Sequence, residues 1–229
     1  MESTGIDRIL SVSGSDVTLQ GLVFSGGKRD ALSESGGNVL IEAPGHHRIE
    51  NCKFLSGISG QLGGNIHVDT PDSVTITNSY FQQGKVRYGG GGISIINAEK
   101  ILIQDCIISH NEAGGDGGGL IVYGTNNDVD QEIFIKNTTF SSNEAEFGGG
   151  FLATSFGSMP RLDIQLSTFE DNIAGEEGAA AAVFHYVMDS AGLLDLTLNG
   201  IKGSSNVAPN NCQGLYIIPH CLNVADTYP

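Results

Sequence analysis

Two stretches of the chain hold residue types and spacings that could do chemistry. In GKVRYGG, Lys85 and Arg87 stand beside Tyr88, and in HVDTPD, Asp69 and Asp72 flank a Thr-Pro pair. A lyase acting on a uronic polymer needs a cation to neutralise the substrate carboxylate and a base for the adjacent proton, and Lys85 and Arg87 are the candidates for the cation. A glycoside hydrolase needs two carboxylates about 5 to 9 Å apart, and Asp69 and Asp72 are the candidates there. Both stretches also have plain explanations. Lys85 and Arg87 read as ordinary charges in a solvated loop, and aspartates are expected around a Pro-containing turn.

Metal chemistry is weakly signalled. The six histidines are dispersed and no CxxC or HxxxH occurs, so zinc spacing is missing. Loop carboxylates at Asp116, Asp128 and Asp130 are the candidates for calcium, although no EF-hand or nonapeptide pattern accompanies them. The expectation is no cofactor, with calcium as the one ion to consider. Cys52 and Cys106 fall in one repeat column two coils apart, about 9.6 Å, which is too far for a disulfide, so both are expected free. Cys212 and Cys221, nine residues apart near the end of the chain, are the candidate disulfide. Asn137-Thr138-Thr139 is the only N-x-[ST] sequon.

Charge narrows the partners. With 26 acidic against 11 basic residues the net charge is −15, a field that repels nucleic acid and anionic lipid. No stretch approaches the roughly 18 apolar residues of a membrane helix, so no direct membrane insertion is expected. The N-terminal MESTGIDRIL lacks a basic start and an apolar centre, and the first coil begins by about residue 9, so the chain reads as a piece of a longer protein.

The elements that must position these residues are repeats. An apolar residue is followed three places on by Gly27, Gly57, Gly84, Asn111, Asn143 and Asn172, with a looser match at Asn206, at intervals of 27–34 residues. Gly and Asn are the residues that most readily take a left-handed backbone, so this column reads as a repeated corner. Upstream of each corner lies an alternating run such as VTITNSYF or IFIKNTTF, and a second follows each glycine cluster, as in GGNIHVDT and GGGLIVYG. Period-two alternation without a helix-length amphipathic segment gives an all-β chain.

An all-strand repeat of this length predicts a right-handed parallel β-helix solenoid of about seven coils over residues 1–211, with 212–229 as a C-terminal cap or tail. A β-sandwich would show more hairpin signals than Asp116-Gly117 and Asn199-Gly200. Stacking about 4.8 Å apart turns columns into ladders. Phe54, Phe81, Ile108, Phe140 and Phe169 are expected to stack inside. Asn51, Asn78, Asp105 and Asn137 are expected to form a buried polar ladder, which would leave the sequon at Asn137 unmodified.

The motifs FSSN, FEDN, GGGI, GGGL and GGGF resemble the paired FxxN and GGA[ILV] repeats of chlamydial polymorphic outer membrane proteins and of related extracellular proteins of algae and other microbial eukaryotes. The resemblance covers residues 17–215 and implies a pectin-lyase-like right-handed β-helix. Here the third glycine position carries Asn38, Asn65 or Gly instead of Ala, three early corners carry Gly instead of Asn, and no autotransporter barrel is present. The functional expectation is an extracellular or cell-surface scaffold or adhesin that binds other proteins or copies of itself through loops 26–36, 84–90, 112–117, 125–131 and 154–160. The alternatives are a carbohydrate-active enzyme on the same fold and a carbohydrate-binding module, the latter disfavoured by six Tyr and no Trp.

Overall fold

In the computed structural model, which describes residues 7–124, 131–155, 160–185, 195–208, 215–217 and 220–222, the chain winds into a solenoid with four parallel walls. One coil shows the plan. Ser73–Thr77 lies in the first wall, Tyr80–Gln82 in the second, Lys85–Val86 in the third and Ile93–Ile96 in the fourth. The next coil repeats it in register, Ser73 pairing with Lys100, Tyr80 with Ile107, Lys85 with Glu112 and Ile93 with Leu120. Among the described residues the first two walls have seven strands each, the third six, and the fourth nine, ending in one antiparallel pair between Leu215–Ile217 and His220–Leu222. The predicted boundary at 211/212 falls outside the described residues.

Alternation explains the walls. Along Ser73–Thr77, Val74 and Ile76 are fully buried while the residues between them are part-exposed. Each glycine run makes the turn between the third and fourth walls. The glycine three places before each fourth-wall strand takes a left-handed backbone, as at Gly63, Gly90 and Gly117. At the glycine that follows it, a side chain would collide with the neighbouring coil. A methyl on Gly118 would lie 2.5 Å from the carbonyl oxygens of both Glu144 and Gly149.

The aromatic column is buried and stacked. Ring centroids of Phe24 and Phe54 are 5.0 Å apart, those of Phe54 and Phe81 4.7 Å, and those of Phe140 and Phe169 4.8 Å with planes 1° apart, with Ile108 filling the coil between Phe81 and Phe140. Spacing at the coil rise lets the rings pack face to face in offset fashion along the axis.

The two asparagine columns exchange the roles that the sequence suggests. Asn51, Asn78, Asp105 and Asn137 take φ of 44–54° and make the corner between the first and second walls, with Asn51, Asn78 and Asn137 exposed and Asp105 part-exposed. The runs read as single strands are therefore two short strands joined at a left-handed residue. Asn111, Asn143 and Asn172 are buried amides with no left-handed backbone, and Gly57 and Gly84 in their column are likewise buried without one. The second corner falls one residue earlier, at Ser56, Gln83, His110, Ser142 and Asp171.

The buried amides run the length of the rod. Asn38 donates to Asn65 Oδ1 (2.9 Å), Asn65 to Asn111 (3.3 Å), Asn111 to Asn143 (2.9 Å), Asn143 to Asn172 (3.0 Å) and Asn172 to Asn206 (3.0 Å). Each Oδ1 also accepts a corner N–H, as Asn111 does from Gly84 (2.8 Å), and each Nδ2 also donates to a backbone carbonyl, as Asn143 does to Ile108 (2.9 Å). Every polar atom of the ladder is thus satisfied, which is the condition for burying it.

Beside it runs a shorter column of Cys52, Ser79, Cys106, Thr138 and Ser167, all buried, in which the Cys52 N–H donates to Ser79 Oγ (3.1 Å) and the Thr138 N–H to Ser167 Oγ (3.2 Å). Cys52 and Cys106 are free thiols.

Candidate functional site

The residues singled out for chemistry are not brought together. Lys85 is not in a loop but in the third wall, where its ammonium reaches Glu112 at 2.5 Å on the exposed face. Arg87 and Tyr88 follow it, both exposed. Asp69 ends a fourth-wall strand and accepts a hydrogen bond from Asn97 Nδ2 (2.9 Å). Asp72 lies past the turn and accepts the Gly45 N–H at 2.6 Å. The two-residue strands of the third wall run through the predicted loops 26–36, 84–90 and 112–117. Two residues are too few for alternation to reveal a strand. Residues 125–130 and 156–159 of the remaining loops lie outside the described residues, as do Asp128, Asp130 and Cys212. For Cys221 only the backbone is described, paired opposite Tyr216.

Asp116, the third calcium candidate, is half-buried between coils, with backbone bridges to Gly89 and Phe147. Burial raises its pKa and the charge of Glu146 adds to the effect. Among the described residues no three His, Cys, Asp or Glu side chains converge as a metal ion requires.

Asp72 belongs to a different constellation. A groove of about 490 Å³ opens where the fourth wall turns into the first, lined by His46, Asp72, Ser73, Glu99, Lys100 and Glu132. Parallel register creates it. Ser73 pairs with His46 on one side and Lys100 on the other, and Lys100 with Glu132. Glu99 and Lys100 donate their N–H groups to the Asp72 carbonyl (2.9 and 3.2 Å), so the backbones of Asp72 and Glu99 are one coil apart, about 4.8 Å along the axis. His46 Nδ1 meets Ser73 Oγ at 2.9 Å.

Lys100 and Glu132 of the groove belong to a run of ion pairs along the first wall. Lys100 bridges Glu132 at 3.2 Å, Glu132 also meets Arg161 at 3.5 Å, and Arg161 meets Asp195 at 3.4 Å. Next to them the part-exposed Phe134 ring carries Lys100, Lys136 and Arg161 at 5.6, 5.7 and 5.6 Å from its centroid. Chemically this edge offers carboxylates from successive coils, a cation and an aromatic surface, the parts that recognise a sugar. His46, Glu99, Lys100 and Glu132 escape a reading of the sequence because their neighbourhood depends on register between runs 26–32 residues apart. The signal was present: His46, Ser73, Lys100, Glu132 and Arg161 all open their first-wall strands.

On the fourth wall, His67 faces outward yet is only 3% exposed, with Nδ1 3.2 Å from Ser94 Oγ. Burial, assisted by the charge of Arg8, lowers its pKa to about 4.

A family model described as a right handed beta helix region matches residues 7–221. No curated protein and no solved structure shows significant similarity to the chain.

Proposed function

Because the chain belongs to the right-handed β-helix family, we propose that it is a non-catalytic scaffold or adhesin segment at the cell surface or outside the cell, binding other proteins or further copies of itself through the sides and ends of the rod. The observation that carries this reading is that the two lysines placed for catalysis are each paired with a glutamate, Lys100 with Glu132 and Lys85 with Glu112. A lyase needs such a cation available to the substrate carboxylate. The polar interior supports the same reading, since its amides are spent on coil-to-coil bonds that stiffen a rod. The charge of −15 disfavours nucleic acid and uncompensated acidic polymers as partners.

Chemical cross-linking of the protein in its native surroundings tests this. Cross-links from wall residues such as Lys53, Lys85 and Lys202 to other proteins or to a second copy are expected, and a protein that cross-links to nothing at native abundance would refute the scaffold.

One observation favours a second reading. Asp72 and Glu99 stand one coil apart beside Lys100 and Phe134, an arrangement suited to a carbohydrate-active enzyme on the same fold. Turnover of a uronic or neutral polysaccharide that disappears in both Asp72→Asn and Glu99→Gln would establish it.

A further inference from the structure

The structure assigns Asn137 as an acceptor for an N-linked glycan, an inference that rests on the extracellular placement proposed above. Asn137-Thr138-Thr139 is the only sequon of the chain. An inward Asn would be closed to modification, but Asn137 is exposed, with φ of 44°, on the corner between the first and second walls. The fold does not need its amide inside. Buried coil-to-coil bonding belongs to the separate column of Asn111, Asn143 and Asn172, and the inward place next to Asn137 is taken by Thr138, whose Oγ1 donates to the Lys136 carbonyl (2.9 Å). Thr139, whose hydroxyl completes the sequon, opens a second-wall strand and is part-exposed.

The Asn137 amide donates one hydrogen bond, to Asp105 Oδ1 at 2.5 Å. An amide nitrogen has two hydrogens, so one can be replaced while the other keeps that bond. In the transfer, Nδ2 forms a bond to the anomeric carbon of a polyprenyl-diphosphate-linked oligosaccharide. The bond from that carbon to the diphosphate breaks, polyprenyl diphosphate leaves with the bonding pair, and the amide loses one proton to solvent.

The test places the full chain behind a secretory leader in a eukaryotic cell. The expected result is secreted protein with a gain in mass that peptide-N-glycosidase removes, that is mapped to Asn137, that persists in Thr139→Ser and that is lost in Asn137→Gln and Thr139→Ala. Secreted protein without sugar overturns the assignment, and so does glycosylated protein that is retained while Asn137→Gln is secreted, because the fold would then reject the glycan. Neither outcome bears on protein contacts along the rod, so failure here is separable from failure of the scaffold reading.

Discussion

Asn65 and Gly84 share one site: a methyl group added to Gly84 would lie 2.6 Å from Asn65 Nδ2. The gap between their coils needs one amide, and here it comes from the glycine-run side. The preceding gap is built the same way, with Asn38 Nδ2 2.8 Å from a methyl on Gly57. From the next gap onward the amide comes from the opposite side. Asn111, Asn143 and Asn172 stand against Gly92, Gly119 and Gly150, at 3.0, 3.1 and 3.3 Å from the corresponding methyls. Asn65 and Asn111, 46 residues apart, are consecutive rungs where the ladder changes sides. Gly in the early corners and Asn in the early glycine runs are therefore two halves of one substitution.

The exchange should be reversible by design. Gly84→Asn alone should destabilise the protein by about 2 kcal/mol through overpacking against Asn65. Asn65→Gly alone should cost about as much by stranding the Gly57 N–H. The double variant Asn65→Gly/Gly84→Asn should recover most of the loss. Denaturant unfolding of the four proteins measures the coupling, and additive losses would show that the two residues do not share a site.

Removing a rung outright should be worse. Asn143→Ala deletes the acceptor for the Asn111 N–H and Nδ2 and the donors to Ile108 and Asn172. A loss of about 3 kcal/mol is expected in denaturant unfolding, because several buried groups lose partners at once. Asn137→Ala, in the exposed column, should change stability by less than about 1 kcal/mol.

Those two variants also mark how far the sequence could be read. The repeat, the all-β composition, the coil number and the stacked Phe column follow from alternation and a recurring interval, and both survive any small shift of the corner. The roles of Asn137 and Asn143 do not, because the sequence shows Asn in both columns and a left-handed corner and a buried amide both favour it. The groove was invisible for a different reason. Asp72, Glu99 and Glu132 become neighbours only when the turn between walls is counted to the residue, and the third-wall strand that moves Lys85 out of a loop is two residues long.

Acid should weaken the fold through His67. Its folded pKa is lowered to about 4 against an unfolded value near 6.5. The unfolded chain therefore binds the extra proton across that window. Stability is full above about pH 6.5 and falls as the pH drops toward 4, by about 3 kcal/mol. Asp116, whose pKa is raised, contributes in the opposite sense. The comparison that isolates His67 is unfolding at pH 7 and pH 4.5 in wild type and His67→Gln: the variant should lose much less stability between the two.

Cys106 should resist labelling. Burial pushes its thiol up to about 12, and its Sγ donates to the Gln104 carbonyl at 3.2 Å. Cys52 is equally enclosed. With an alkylating reagent at pH 8, peptides containing either residue should stay unmodified in the native protein and react fully in denaturant. Native labelling of Cys106 would mean that the wall opens locally.

The most direct measurement is electron cryo-microscopy of the protein in its native assembly, isolated without overexpression. The scaffold reading predicts protein density along at least one wall or end of the rod, with the groove at His46, Asp72 and Lys100 empty of sugar. Bare walls with saccharide density lying across Asp72, Glu99 and Phe134 would contradict it.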